Sequence, residues 1–119
     1  MKILLLTGNL AYNDVKNIIK NQNHEITVYK IDYNVAALIT PKIIINQIKN
    51  DLLGNLNDFD MILVPGLMNQ PTTDIEKTFN IPTFKSTRTL DNLDLLLNNL
   101  DKIQLSSTEA ADDLMDNIK

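Results

Sequence analysis

Residues 2–8 read Lys-Ile-Leu-Leu-Leu-Thr-Gly, in which a short apolar run over residues 2–6 is followed by a hydroxyl residue and a glycine. A short run of this kind predicts a strand that is buried on both faces, as in a parallel sheet. Residues 61–66, Met-Ile-Leu-Val-Pro-Gly, repeat the pattern. Residues 25–31 alternate like a further strand, and residues 81–84 predict a short strand near an edge, because Pro82 cannot donate to a ladder.

Segments with apolar residues at helical spacing separate these strands. Asn13 is a plausible N-cap for the first helix, and Thr40 followed by Pro41 marks the start of the second. Thr73 with Glu76 fits a capping box. We expect further helices near residues 74–79, 90–100 and 110–118. Strands that alternate with helices predict a doubly wound α/β domain of three layers, with a mainly parallel sheet of about four strands (Rossmann- or flavodoxin-like) and a last helix at the C-terminus.

The composition excludes several classes of protein. A chain of 119 residues predicts one domain over residues 1–119. The absence of cysteine excludes disulfides, thiolate metal sites and cysteine nucleophiles, and a single histidine, His24, excludes a multi-histidine zinc site. The net charge of -4 argues against nucleic acid. No apolar run is long enough to cross a membrane, so we expect a soluble, cytoplasmic protein.

The acidic surplus is concentrated in residues 91–119, which hold seven acidic and two basic residues. These residues form either a solvated face or a docking surface for a basic partner.

Two of the three glycines directly follow the first and third predicted strands. The carboxyl ends of parallel strands meet at one edge of the sheet, where ligands bind in open α/β folds. Alternatively, the glycines serve only tight turns, and Ser86 and Thr87 only cap a helix. The candidate ligand-binding residues at this edge, suited to a phosphate or another small anion, are Thr7, Gly8, Asn9, Pro65, Gly66, Lys85, Ser86, Thr87 and Arg88.

The segment between the second strand and the second helix is unusually apolar for a loop. Residues 33–39 read Tyr-Asn-Val-Ala-Ala-Leu-Ile, which either continues the core or faces a partner. The candidate interface residues are Val35, Leu38 and Ile39, together with Leu114 and Ile118 on the last predicted helix.

Motifs for the familiar nucleotide sites are absent. The first strand is not followed by GxGxxG, and no GxxxxGK[ST] occurs. His24 falls at the amino end of the second strand, away from the ligand edge. Because no acid–base pair or activated nucleophile can be identified, we assign no catalytic residue and no metal site.

Five ordered segments carry a family resemblance: residues 1–11 (MKILLLTGNLA), 35–41 (VAALITP), 60–68 (DMILVPGLM), 84–97 (FKSTRTLDNLDLLL) and 105–115 (LSSTEAADDLM). In order and spacing they resemble the amino-terminal region of the archaeal dihydropteroate synthase-related proteins, which occur mainly in methanogens. The resemblance covers nearly the whole chain. It departs at Ser86, Thr87 and Thr89, so it carries over no binding role there.

The resemblance implies that the chain is the N-terminal part of a longer protein. In that family a pterin-binding (β/α) barrel follows this region, and any pterin cofactor or transferase chemistry belongs to the barrel. The chain itself would then be a non-catalytic accessory or interaction domain without a cofactor. Its partner would be the following barrel, with a homo-oligomer as an additional expectation. The alternative is a module that binds a small anion or phosphate ligand.

Overall fold

Strand β1 (Lys2–Thr7) lies inside a four-stranded sheet whose order is β2-β1-β3-β4. The other strands are β2 (Glu25–Lys30), β3 (Met61–Val64) and β4 (Thr83–Lys85), and every pairing is parallel. The computed structural model describes residues 1–20, 22, 24–51 and 56–115. The chain leaves β1 toward β2 and returns to β3 on the other side of β1, so the topological switch point lies between β1 and β3.

Four α-helices cover the two faces of the sheet in the described part of the chain. Helix α1 (Tyr12–Ile19) packs with α4 (Leu90–Asn98), and α2 (Pro41–Asp51) packs with α3 (Thr73–Phe79). This arrangement confirms the predicted three-layer α/β fold with a parallel sheet. No helix among the described residues has the length and apolar character that crossing a bilayer requires.

Side chains of β1 alternate between two separate cores, one on each face of the sheet. Ile3 and Leu5 belong to the core beneath α1 and α4, whereas Leu4 and Leu6 belong to the core beneath α2 and α3. All four are almost completely buried. Because successive side chains of a strand point to opposite faces, a strand that is buried on both faces needs an apolar residue at every position. This is why residues 3–6 are all apolar.

The predicted helix caps are only partly correct. The Thr40 hydroxyl accepts a hydrogen bond from the Ile43 amide (3.3 Å), as expected for an N-cap before Pro41. Helix α1 begins at Tyr12, one residue before the predicted Asn13 cap. The Thr73–Glu76 capping box is wrong, because the Glu76 carboxylate accepts instead from the Thr83 amide (2.9 Å). That contact ties α3 to the start of β4.

The segment after α4 runs along the outer edge of β4. The Lys85 amide donates to the Ser106 carbonyl (2.9 Å), and the Ala111 amide donates to the Ser86 carbonyl (2.9 Å). The predicted last helix is, within the described residues, a 3₁₀ turn over Ala111–Leu114; residues 116–119 lie outside them. The segment therefore shields an edge strand that would otherwise leave its backbone groups unpaired.

Candidate functional site

A cavity of about 360 Å³ opens at the carboxyl edge of the sheet, beside the switch point between β1 and β3. Leu5 and Val15 line it on the side of α1, and Leu90 and Leu93 line it on the side of α4. The cavity therefore lies above the α1/α4 face of the sheet, where the fold predicts a ligand crevice. Its walls are mainly apolar.

Gly8 and Gly66 are explained by close approaches between backbone segments. A Cβ atom at Gly66 would lie 2.6 Å from the Ser86 carbonyl oxygen, and one at Gly8 would lie 2.9 Å from the Tyr33 carbonyl oxygen. Neither glycine has a positive φ. These glycines let the loops after β1 and β3 pack against the neighbouring loops, and this packing fixes one wall of the cavity.

The Thr7 side chain lies on the cavity side of the sheet. Strand alternation places it on the same face as Ile3 and Leu5, and Thr7 itself lines the cavity. Only 6% of Thr7 is exposed, and its hydroxyl forms no hydrogen bond with the described residues. Among the described residues, every fully buried polar side-chain atom has a hydrogen-bond partner, so this hydroxyl, which has none, is not fully buried. It therefore reaches the cavity.

The hydroxyl residues predicted at this edge, Ser86 and Thr87, form hydrogen bonds with backbone carbonyls of the protein itself. The Ser86 hydroxyl donates to the Val64 carbonyl (2.8 Å), and the Thr87 hydroxyl donates to the Thr89 carbonyl (2.8 Å). Ser86 and Thr87 both line the cavity, as Pro65 and Gly66 do. Their hydroxyls hold the turn between β4 and α4, so the hydroxyl donors are already engaged.

Asn9 lies at the same edge but outside the cavity lining. Its amide nitrogen donates to the side-chain oxygens of Asp32 (3.2 Å) and Asn34 (3.1 Å). Its backbone amide donates to the Tyr33 carbonyl (2.8 Å). Asn9 therefore joins the loop after β1 to the loop after β2, rather than presenting its side chain to a ligand.

Among the described residues that line the cavity, Arg88 is the charged one, and its guanidinium forms an ion pair with Asp113. Its Nη2 lies 2.6 Å and its Nη1 lies 3.1 Å from the two carboxylate oxygens of Asp113. The hydrogen bonds that the guanidinium donates to Asp113 raise the pKa of Arg88. An anionic ligand at this edge would have to compete with Asp113 for the guanidinium group.

Asp112, next to Asp113, anchors the turn between β4 and α4 from a buried position. Its carboxylate accepts from the Arg88 amide (2.5 Å) and from the Asn92 side chain (2.9 Å). Burial by itself would raise the pKa of Asp112. These two hydrogen bonds, a third from its own backbone amide and the positive charge of Arg88 together outweigh burial, so the pKa lies below its ordinary value of 3.8. The 3₁₀ turn is thus tied to the beginning of α4.

Lys85 was predicted to bind a ligand at this edge, but the structure places it inside the protein. It is 4% exposed, does not line the cavity, and its ammonium group donates to the Met68 carbonyl (2.6 Å). Burial, and next the positive charge of Arg88, lower its pKa. The physical reason is alternation along β4, which turns Lys85 into the protein beside Thr83, away from the cavity.

The four predicted interface residues that the structure describes separate into three groups. Val35 and Leu38 are exposed (51% and 62%), and Val35 also lines the cavity. Ile39 is fully buried in the core beneath α2 and α3, so its expected interface role is corrected to a core role. Leu114 is half-buried against the other core. Ile118 lies outside the described residues.

Sequence reasoning missed most of the apolar lining. Leu10 and Ala11 in the first turn after β1, and Leu90 and Leu93 on α4, contribute walls that were not predicted. Each belongs to a helix, or to the turn before one, that starts at the carboxyl edge. A search for apolar residues at the start of those helices would have found them.

Comparisons with known proteins identify relatives without a stated function. Residues 1–88 match the family of unknown function DUF6513. An uncharacterized protein of Methanocaldococcus jannaschii is 42% identical over 116 residues, which cover 94% of this chain but 22% of that protein. The chain therefore spans about a fifth of the length of this relative. No solved structure matches the chain. Because the match covers most of its length, the chain belongs to the DUF6513 family.

Proposed function

We propose that this chain is a non-catalytic accessory domain that docks, through the carboxyl edge of its sheet, onto the remainder of a longer protein. The resemblance seen in the sequence implies that this remainder is a pterin-binding barrel, which would carry any pterin chemistry. The proposal includes a cytoplasmic location, as the sequence predicts. One observation carries the docking proposal: the exposed apolar side chains gather at one edge.

Six large apolar side chains are exposed in the described part of the chain, and five of them follow the carboxyl ends of strands. Leu10 follows β1 and Leu67 follows β3, and both line the mouth of the cavity. The loop after β2 contributes the rest. We call this surface the apolar rim; it comprises Leu10, Tyr33, Val35, Leu38 and Leu67.

Several large apolar side chains exposed at one edge of a sheet are typical of a site of interaction. The relative from Methanocaldococcus jannaschii offers an occupant, because most of its length lies outside the match to this chain. Covering the apolar rim with the remainder of the same polypeptide would remove these side chains from water. The burial is favourable by about 25 cal/mol per Å² of apolar area.

The alternative, a module that binds a small anion, is less well supported. Arg88 is paired with Asp113 through both terminal nitrogens, and the cavity is mainly apolar. An anion would have to displace the Asp113 carboxylate or remain unpaired in an apolar site, which is costly.

The first test is the length of the native polypeptide in cell extract, measured by blotting with an antibody against this chain. The proposal expects a polypeptide several times longer than 119 residues. A native polypeptide of 119 residues would exclude docking onto a remainder of the same chain.

The second test compares amide hydrogen exchange in the isolated chain and in the complete polypeptide. We expect residues 33–38 to exchange more slowly in the complete polypeptide. Leu38→Glu should restore fast exchange there, because a carboxylate cannot be buried against an apolar partner. The control is Lys77→Glu, which places the same group on the exposed surface of α3. Equal exchange of residues 33–38 in both contexts would rule out docking at this edge.

A further inference from the structure

The cavity inside the apolar rim has the features of a small-molecule site, and we propose that it binds a neutral, mainly apolar ring compound with one hydrogen-bonding group directed at Thr7. This inference goes beyond docking, because it concerns the interior of the cavity and applies to the isolated chain. The volume of about 360 Å³ lies near the lower end of the range for ligand pockets, roughly 300–1,000 Å³. It suits a molecule of one or two rings.

The walls indicate an apolar ligand. Leu5, Val15 and Leu93 form the inner wall and are themselves 2–4% exposed, so they are fixed by core packing. Leu10 and Leu67 stand at the mouth with 77% and 42% exposure. A rigid apolar interior with an open apolar mouth is the usual construction of a preformed ligand pocket.

The charges indicate a neutral ligand. Among the described lining residues the charge belongs to Arg88, and the Asp113 carboxylate binds it with two hydrogen bonds. A charged ligand would enter an apolar cavity without a free counter-charge, at a considerable desolvation cost. A neutral compound avoids that cost.

The Thr7 hydroxyl indicates where the polar group of the ligand lies. It is the side chain at the carboxyl end of β1, it lines the cavity, and it forms no hydrogen bond with the described residues. Hydroxyls as buried as this one usually have a partner within the protein. A ligand carbonyl or amide placed against it would supply that partner.

The test uses amide nitrogen–proton spectra of the isotope-labelled 119-residue chain, titrated with four probes at millimolar concentrations. Benzamide is a neutral ring with a hydrogen-bonding group, and benzene is the ring alone. Benzoate has the same ring with a charge, and inorganic phosphate is an anion without a ring. We expect benzamide to bind with the highest affinity and to shift the resonances of Thr7, Gly8, Leu90 and Leu93.

Two variants separate the hydroxyl from the cavity. Thr7→Val keeps the shape of the side chain and removes the hydroxyl; we expect benzamide to bind about fivefold more weakly, the effect of one hydrogen bond, and benzene to bind unchanged. Thr27→Val is the matched control, since Thr27 is exposed on β2 and does not line the cavity. It should leave both affinities unchanged.

Three results would overturn the inference. The first is that neither benzamide nor benzene shifts the cavity resonances, and the second is that benzoate or phosphate binds more tightly than benzamide. The third is that Thr7→Val leaves the affinity for benzamide unchanged. These measurements need only the isolated chain, whereas the docking tests need the complete polypeptide, so failure of one proposal is distinguishable from failure of the other.

Discussion

The backbone amide of Arg88 donates a hydrogen bond of 2.5 Å to the carboxylate of Asp112, a residue 24 positions further along the chain. The bond joins the end of the loop after β4 to the 3₁₀ turn over Ala111–Leu114. A buried carboxylate that accepts from a backbone amide and from Asn92 holds this corner of the cavity in place. The adjacent Asp113 binds the Arg88 side chain from the exposed side.

This pair of neighbours gives a matched prediction. Asp112→Ala should destabilise the fold by about 1.5–3 kcal/mol, because it removes hydrogen bonds to a charged group in a buried position. Asp113→Ala should cost less than about 1 kcal/mol, since the ion pair is exposed and screened by water. Urea denaturation of the two variants measures the difference. Equal losses would mean that the Asp112 contacts are not structural.

The lowered pKa of Asp112 also predicts an acid dependence. A carboxyl group with a folded pKa below its unfolded value adds stability above the unfolded value, 3.8, and loses it as the pH falls toward the folded pKa. The wild-type protein should therefore lose more stability below pH 3.8 than Asp112→Asn does. Thermal unfolding across that range checks the sign. An acid slope that is the same in both proteins would refute it.

Gly66 should tolerate no side chain. A Cβ atom there would lie 2.6–2.7 Å from backbone atoms of Ser86, Thr87 and Arg88, which cannot rotate away. We expect Gly66→Ala to cost about 1–3 kcal/mol or more, as overpacking does. Gly8→Ala is the comparison, with its closest contact at 2.9 Å to a single backbone oxygen. Denaturant midpoints of both variants measure the effect, and a Gly66→Ala protein as stable as the wild type would contradict it.

Leu38 and Ile39 are sequence neighbours with opposite environments. Ile39→Ala should cost about 2–5 kcal/mol, because it leaves a void in the core beneath α2 and α3. Leu38→Ala in the isolated chain should change stability by less than about 0.5 kcal/mol, since Leu38 is 62% exposed. Calorimetry on both variants measures this contrast. A large loss for Leu38→Ala would show that the apolar rim serves the fold of this domain.

Tyr29 should ionise at unusually high pH. Burial, followed by the hydrogen bond to Asp51, raises its pKa to about 12. A raised folded pKa adds stability below the unfolded value of 10.0, and this stability is lost as the pH rises through about 12. Ultraviolet titration of tyrosinate should show one late transition that is absent in Tyr29→Phe. A late transition that persists in the variant would assign it to another tyrosine.

Sequence patterns determined the fold class because they depend on local rules. A strand buried on both faces must be apolar at successive positions, and residues 3–6 and 62–64 meet that requirement. Parallel strands must be joined by crossovers, so the alternation of strands and helices fixed the layered arrangement. The same rules brought the ends of β1 and β3 together at one edge, as predicted.

Only the tertiary structure decided what that edge offers to a ligand. The sequence suggested an anion site around Lys85 and Arg88, but Lys85 turns into the protein and Arg88 is paired with Asp113. The pairing joins residues that are distant in sequence, and no local pattern encodes it. The apolar character of the cavity likewise arises from α1 and α4 packing over one face of β1. Local sequence patterns therefore determine the order of strands and helices. The chemistry of a cavity depends instead on which side chains, distant in sequence, face one another.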